Sequence, residues 1–352
     1  MHATDAPSDP AAMPEYLFCS ALSLEQRGEM EDACELYLQT MRVAPNHARA
    51  QYRVYKLFAD RAERAGSQLA RPSQCAPKSP QRAPMISVVI CSVDAQKFAA
   101  ASANYRQLLE GYNYEIVGIH DARSLCEGYN RGFALSRGDI VVFSHDDIEI
   151  LSSDLAAKLV EALRDRDVVG VAGSMRFPET GKWGLPIILP HTRGLVAHRA
   201  PGEDAYAVYV FGVDGAVDDG IQVLDGVFFA ARRKVLEAIE FDARTFDGFH
   251  FYDIDFTYRA FLAGFRVAVA NDLCLVHQSR GKFDSHWRSY ADRFLAKHRD
   301  VRRPAVVAHR FWGPYIARLR TAAAVVDFSN SVVAAAEAAR RLGHGSPVDR
   351  ER

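Results

Sequence analysis

The sequence predicts an α/β protein built on a doubly wound sheet, with a small α-helical module before it and a helical tail after it. Three observations carry this expectation. Short β-branched runs alternate with amphipathic segments from Met85 onward. A proline-rich stretch separates that region from a purely helical one. Polar clusters with ligand capacity follow the strand-like runs directly, where open α/β sheets bind ligands.

Residues 14 to 66 read as helices. In LSLEQRGEMEDACELYLQTMRVAPNHARA, apolar residues recur at three and four, and Pro45-Asn46 interrupts the pattern. Gly28, Ala33, Tyr37 and Pro45 stand at the offsets of a tetratricopeptide helix pair, which this stretch resembles. Small Gly28 and Ala33 would let two helices approach closely, and Pro45 would end the second. One repeat cannot bury its own face. The module at 1–66 is therefore expected to pack on the rest of the chain or on a partner protein. Residues 67–84 hold four prolines, three basic residues and no acid, the composition of a linker.

The next region, 85–300, carries the strand–helix alternation. ISVVICSV reads as a buried parallel strand. A helix is expected at 95–110, then the strand EIVGIH, then a helix in SLCEGYNRGFALSRG closed by Gly138, then the strand DIVVFS. Strands alternating with helices at this spacing imply right-handed crossovers and a doubly wound sheet. A helix follows at 154–166 with Asp154 as N-cap, and VVGVAGSMRF is a further strand. The stretch 176–222 is rich in Gly, Pro and aromatics without a clear period, which predicts irregular structure and hairpins facing a substrate. VLDGVFFAARRKVLEAI reads as a strand running into a helix, and FYDIDFTYRAFLAGF as a helix closed by Gly264. FRVAVANDLCLVHQ is a final pair of strands. Residues 301–352 are read as a basic helical tail: 301–345 hold seven Arg and two acids, with Phe311, Trp312 and Tyr315.

Composition narrows the function classes. A formal net charge of -1 argues against a dedicated nucleic-acid binder. The six cysteines form no CxxC pair, and their spacings fit neither a disulfide framework nor a zinc site. Cys91 and Cys274 fall in strand-like runs, as small buried hydrophobes do. The start, MHATDAPSDPAAMPEY, lacks the pattern of a signal peptide. No apolar run approaches the ~18 residues that a membrane span requires. A cytoplasmic protein, at most peripheral at the membrane, is the expectation.

Three clusters carry chemistry. SHDDIEI places His145, Asp146 and Asp147 directly after a buried strand. A diphosphate needs its charge neutralised, and a divalent cation held by one or two carboxylates does this. Asp146 and Asp147 diverge if the strand direction persists, so one can reach metal while the other contacts ribose. A turn whose acids cap the next helix explains the same residues. In FHFYDIDFTYRA, Asp253 and Asp255 open a helix, whose dipole favours ionised carboxylates and suits a general base. Capping alone accounts for one aspartate better than for two. His277 lies just past a strand, where an imidazole can complete a shell of oxygen ligands. Arg280 and Lys282 follow on a loop with Gly281, placed to cover a pyrophosphate.

In order and spacing, residues 85–283 resemble the inverting family-two glycosyltransferases of GT-A fold, a Rossmann-like doubly wound mixed sheet. Within them the chain is similar to a bacterial branch known only as glycosyltransferase-like. ISVVICSVD is similar to the opening strand and nucleotide-contacting turn, and EIVGIHD to the second strand. SLCEGYNRGFALSRGDIVVFSHDD resembles the helix leading to the Asp-x-Asp site. LDGVFFAARRKVL and FYDIDFTYRAFLAGFRV resemble the acceptor-side strand and the helix bearing Glu-Asp-x-Asp. Two positions depart: His145 stands for the first aspartate of Asp-x-Asp, and Tyr252 for the glutamate before the base. No QxxRW motif is present.

The resemblance implies a nucleotide diphosphate sugar donor, with Ser92, Asp94, Asp121 and Asn130 on base and ribose and Asp146 and Arg280 also on the donor. It implies Mn2+ or Mg2+ held by Asp147 and His277, with His145 a candidate outside the family's pattern. Asp253 would be the base, and Asp225, Trp183 and Asp255 the acceptor side, Trp183 stacking on a sugar face or packing in the core. The acceptor would be a hydroxyl of a glycan, a lipid-linked molecule or a protein. The tail then reads either as a helix packed on the catalytic domain or as a membrane-surface helix.

Two other classes compete. A nucleotidyltransferase would need a glycine-rich phosphate loop after the first strand, and CSVDAQKF offers none. A non-catalytic scaffold with a decayed site would not need both Asp147 and Asp253.

Overall fold

A computed structural model describes residues 11–44, 47–65, 84–177, 191–279, 281, 284–299 and 314–341, with Pro7 and Asp9. The linker expected at 67–84 lies outside the described residues, apart from Pro84, as does Pro45.

Three helices open the chain: α1 (Met13–Gln26), α2 (Met30–Val43) and α3 (Ala48–Ala65). Ala33 and Tyr37 of α2 are buried, and the Phe18 ring lies 5.6 Å from that of Tyr37. Contrary to the repeat-like pattern, Gly28 does not serve close packing. It sits in the α1–α2 turn at φ 82°, with nothing within 4 Å of where a Cβ would stand. A left-handed turn is what glycine supplies there.

The central region follows as β1 (Ile86–Cys91), α4 (Ala95–Leu108), β2 (Tyr114–Ile119), α5 (Leu125–Leu135) and β3 (Ile140–Ser144). Side chains cap both helices: Asp94 accepts from Gln96 and Lys97 amides, and Ser124 from that of Glu127. Gly138 is not a helix terminator, since α5 ends three residues earlier. A Cβ on it would meet the Ser87 amide nitrogen at 2.5 Å, so it permits the close approach of the turn to β1. Next come β4 (Ile148–Ile150), α6 (Leu155–Ala162), β5 (Val168–Gly170) and β6 (Ala172–Ser174). Asp154 stands at the N-cap position of α6 without bonding its first turn. It pairs with Lys158 at 3.1 Å instead.

The segment expected to hold irregular structure and hairpins contains a hairpin of β7 (Thr192–His198) and β8 (Tyr206–Gly212), then β9 (Val217–Asp219). All but the last residue of β7 are buried, so it shows no alternation to read. The chain continues through β10 (Val223–Leu224), β11 (Phe228–Arg232), α7 (Arg233–Ala238), α8 (Tyr252–Leu262), β12 (Val267–Ala270), β13 (Leu275–His277) and α9 (Ser285–Lys297). Gly264, at φ 83°, ends α8: the Phe265 amide bonds the Ala260 carbonyl and the Gly264 amide that of Phe261.

The strands form two sheets. The first has the order β2-β1-β3-β11-β5-β12-β9, with β1, β2 and β3 parallel and β11 antiparallel to both its neighbours. This is the doubly wound mixed sheet expected from the sequence. Two apolar clusters pack on it, one of them centred on Phe143, Phe229, Phe241 and Phe256. The rings of Phe241 and Phe256 stack at 4.3 Å. The second sheet runs β10-β6-β7-β13-β4, and β8 adds to β7.

The tail is not simply a helix. It enters as β14 (Tyr315–Leu319), which pairs with β8, and then forms α10 (Ala322–Arg341). Ala324, Val325, Phe328 and Val332 of α10 are buried in one cluster with Tyr37, Val54 and Tyr55. Tyr315 packs on Tyr52 and Tyr55 with ring separations of 5.3 and 5.5 Å. The apolar face of α10 is thus covered by the N-terminal helices, which find there the partner a lone helix pair lacks. Phe311 and Trp312 lie outside the described residues. Among the described residues, no helix is long and apolar enough to cross a membrane.

Candidate active site

The site forms where β3 leaves the first sheet and meets β13 of the second. After Ser144 the chain turns through His145–Asp147, and β4 then pairs antiparallel with β13, setting Ile148 opposite His277. The Asp147 carbonyl accepts from the Gln278 amide at 2.9 Å. This pairing brings His145, Asp147 and His277 together, with one ligand atom from each within 4.8 Å of the others.

Their geometry fits one divalent cation. His277 Nε2 lies 3.2 Å from Asp147 Oδ1, and His145 Nδ1 lies 3.8 Å from the same oxygen and 3.5 Å from His277 Nε2. Donors about 2.1 Å from one ion lie about 3 Å apart at right angles and about 4.2 Å apart when opposed. The observed separations fall between these limits. Burial alone would raise the Asp147 pKa, but His277, His145 and Ser279 together hold the carboxyl well below its ordinary range. Burial, reinforced by the neighbouring His277, lowers the His145 pKa despite nearby carboxylates. An ionised carboxylate beside a neutral imidazole is a ligand set.

Asp146 points elsewhere, as the strand geometry predicted. Its carboxylate accepts from the Ser92 hydroxyl at 2.6 Å. Ser92 also sits 2.9 Å from the Asp94 carbonyl, so Ser92, Asp94 and Asp146 share one corner at the end of β1. Asp121, at the end of β2, is exposed and pairs with Arg131. Asn130 does not contribute to this corner. Its amide clasps both backbone groups of Phe241, each at 2.9 Å, and so anchors the loop after α7.

The opposite wall is built by Asp225-Gly226-Val227 and the first turn of α8. The Gly226 amide donates to Asp253 Oδ2 at 2.6 Å, and the Val227 amide to Asp225 Oδ1 at 2.9 Å. The Val227 carbonyl accepts from the His145 amide at 3.1 Å, which ties this wall to the metal-binding turn. Burial, and then the Asp225 carboxylate, push the Asp253 pKa up to about 7. The helix N-terminus alone would keep this aspartate ionised throughout, as the sequence suggests. Desolvation and a like charge outweigh it. Phe251 precedes the helix at φ 64°, a strained conformation for a phenylalanine, and buries its ring against Trp287 and Phe294.

Asp255, expected on the acceptor side, is engaged by cations around α8 and α9. It is 1% exposed, accepting from Arg259 and Lys297 at 2.7 Å and lying 2.8 Å from His298 Nε2. Two residues along a helix turn the side chain by about 200°, so Asp253 and Asp255 face opposite ways. Asp255 ties α8 to α9. Trp183, Arg280 and Lys282 lie outside the described residues.

Three site residues escape a reading of the sequence for ligands and bases. Ser279 stands 3.0 Å from His277 Nε2. Gly226 offers both backbone groups to the wall: its carbonyl accepts from the Tyr252 hydroxyl at 3.0 Å. That hydroxyl also lies 2.8 Å from His145 Nε2. The two departures noted in the sequence, His145 and Tyr252, therefore touch each other. Their coincidence was the one available signal.

Residues 87–298 match the model of the glycosyltransferase-like family, more than half of the chain. No curated protein matches the sequence. Among solved structures the chain is similar to a mannosyltransferase from Pyrobaculum calidifontis in complex with GDP-Man and Mn2+. That pair shares 16% identity over 89% of each chain, with a TM-score of 0.40. It is also similar to GalNAc-T7 with UDP, GalNAc and Mn2+, at 11% identity over 56% of this chain and 44% of that one, TM-score 0.35. A mycobacterial protein shares 16% identity over 68% and 78% of the two chains, TM-score 0.37.

Proposed function

The chain belongs to the glycosyltransferase-like family, with the GT-A fold, and from that premise we propose that it transfers a sugar from a nucleotide diphosphate donor to an acceptor hydroxyl with inversion. The observation that carries the proposal is the meeting of His145, Asp147 and His277 at one point, with Asp253 tied to the same turn through Gly226 and Val227.

Asp147 and His277, with His145, would hold Mn2+ or Mg2+, and two imidazoles favour the former. The cation would supply positive charge to the diphosphate leaving group. Ser92, Asp94 and Asp146 bind and orient the nucleoside portion from the end of β1, with Asp121 at its rim. Arg280, by the family resemblance, would cover the pyrophosphate. Asp253 accepts the proton of the acceptor hydroxyl, whose oxygen forms a bond to the anomeric carbon as the bond to the diphosphate oxygen breaks. One displacement from the opposite face inverts the centre. A pKa near the working pH suits this base. Burial, with repulsion from Asp225, keeps it there, and Asp225 and Trp183 would serve the acceptor side. The acceptor is a glycan or a lipid-linked hydroxyl, and the N-terminal helices are a candidate docking module for a protein partner.

A thermal-shift screen against UDP-, GDP-, dTDP- and CMP-sugars, with and without Mn2+, tests this reading. A ligand of the folded state raises stability by RT ln(1 + [L]/Kd). One nucleotide should give a metal-dependent shift that Asp147→Ala removes. A well-folded protein that no nucleotide sugar shifts would overturn the proposal.

A further inference from the structure

We infer that Tyr252 is a positioning residue: its hydroxyl fixes the tautomer of His145, so that His145 Nδ1 stands as a third ligand atom beside Asp147 and His277. The inference rests on the reading of these three residues as a metal site, and it concerns a residue with no place in the pattern that the sequence resembles.

A proton count carries it. Tyr252 is 4% exposed, and its hydroxyl lies 3.0 Å from the Gly226 carbonyl and 2.8 Å from His145 Nε2. A phenol has one proton to give. The carbonyl can only accept, so the proton goes to Gly226. The hydroxyl oxygen is then left to accept, and Nε2 must carry the hydrogen. The reverse assignment would set the carbonyl and phenol lone pairs against each other in a buried place, where an unmade hydrogen bond is most destabilising. A neutral imidazole protonated at Nε2 keeps its lone pair on Nδ1. Nδ1 is the nitrogen that faces the cluster, 3.8 Å from Asp147 Oδ1 and 3.5 Å from His277 Nε2.

The backbone enforces this arrangement. A Cβ at residue 226 would stand 2.1 Å from the Tyr252 hydroxyl oxygen and 2.8 Å from the Asp253 Cβ. Only glycine lets the hydroxyl reach both partners. The ring of Tyr252 packs edge-on against Tyr129 at 5.5 Å, a contact that phenylalanine would keep. The hydroxyl is thus separable from the packing. A tyrosine serving the core alone would need its ring and one hydrogen bond, and would not influence the metal.

Mn2+ binding to the full-length, metal-free protein, measured by calorimetry or by electron paramagnetic resonance, tests this without any activity assay. Tyr252→Phe should weaken Mn2+ binding by about 10–100-fold, the usual effect of losing a group that orients a ligand. His145→Ala should weaken it at least as much, and the double variant no further than His145→Ala. Long-range 15N spectra of the unaltered, metal-free protein should show His145 protonated at Nε2. Native Mn2+ affinity in Tyr252→Phe, additive losses in the double variant, or an Nδ1–H tautomer would each overturn the inference. Should Tyr252→Phe not fold, the tautomer decides alone. Mn2+ binding that Asp147→Ala abolishes and Tyr252→Phe leaves unchanged would sink this inference and spare the metal site. No Mn2+ binding to the unaltered chain would overturn both.

Discussion

Asp147 and Asp253 are the same residue type, both largely buried, and tied to one another through Val227, Gly226 and His145. Their acidities diverge. The first is held well below the ordinary carboxylate range, and the second rises to about 7. Burial raises both. At Asp253 it is the larger cause, and the Asp225 carboxylate adds to it; at Asp147 two imidazoles and a hydroxyl outweigh it. One carboxylate is prepared to hold a cation and the other to take a proton. Two titratable groups pushed apart by their surroundings are how one site runs two roles at one pH.

The comparison can be broken at either end. The largest expected effect is that of Asp147→Ala, which should abolish the Mn2+-dependent thermal shift with nucleotide sugar while leaving the metal-free melting curve close to native. Asp253→Asn should reduce transfer by about 10²–10⁴-fold, the range of a positioned general base, with donor binding retained. Product assays and thermal shifts on the same sample separate the two effects. If both variants lose donor binding alike, the division of labour is wrong.

Asp255→Ala should act on the fold alone. It removes the acceptor of Arg259, Lys297 and His298, and the loss should be about 2 kcal/mol, below that of a fully buried pair because Arg259 and Lys297 are partly exposed. Denaturant midpoints measure it, and the ratio of turnover to donor affinity should stay unchanged.

The smallest effect sharpens the contrast. Asp225→Asn removes the charge that helps raise Asp253, so the acidic limb of the pH–rate profile, centred near 7 in the native protein, should move to lower pH. The sign for stability runs the other way. A carboxyl whose pKa is higher folded than unfolded binds more protons in the folded state over that interval. Its contribution is therefore largest at low pH and declines as pH rises from about 4 toward 7. Asp253→Asn should flatten this decline in chemical-denaturation series. An unchanged slope would mean that Asp253 is ionised in the folded protein throughout that range.

Much of the frame was legible in the residues. ISVVIC, EIVGI and IVVFS carry strand composition, and the helices between them were expected from the alternation. The divergence of Asp146 and Asp147 follows from alternation along an extended chain. What escaped depends on neighbours distant in sequence. Nothing near Asn130 announces that it clasps Phe241, more than a hundred residues away. Asp255 looks like a second active-site acid until Lys297 and His298 arrive from α9. Gly28 and Gly138 each invite one of glycine's two uses and serve the other. Hairpins were expected in 176–222, but the bounds of β7 were not legible, because burial of both its faces erases the period that betrays a strand.

The docking of β14 and α10 on α3 has a consequence for how the chain is made. The N-terminal helices leave the ribosome some 250 residues before Tyr315 and Phe328, which cover them. Through most of synthesis the apolar side of α3, with Val54 and Tyr55, lacks its cover. Early residues are completed by late ones, so this corner closes only once α10 has emerged. Until then it offers a sticky surface to chaperones or to other nascent chains.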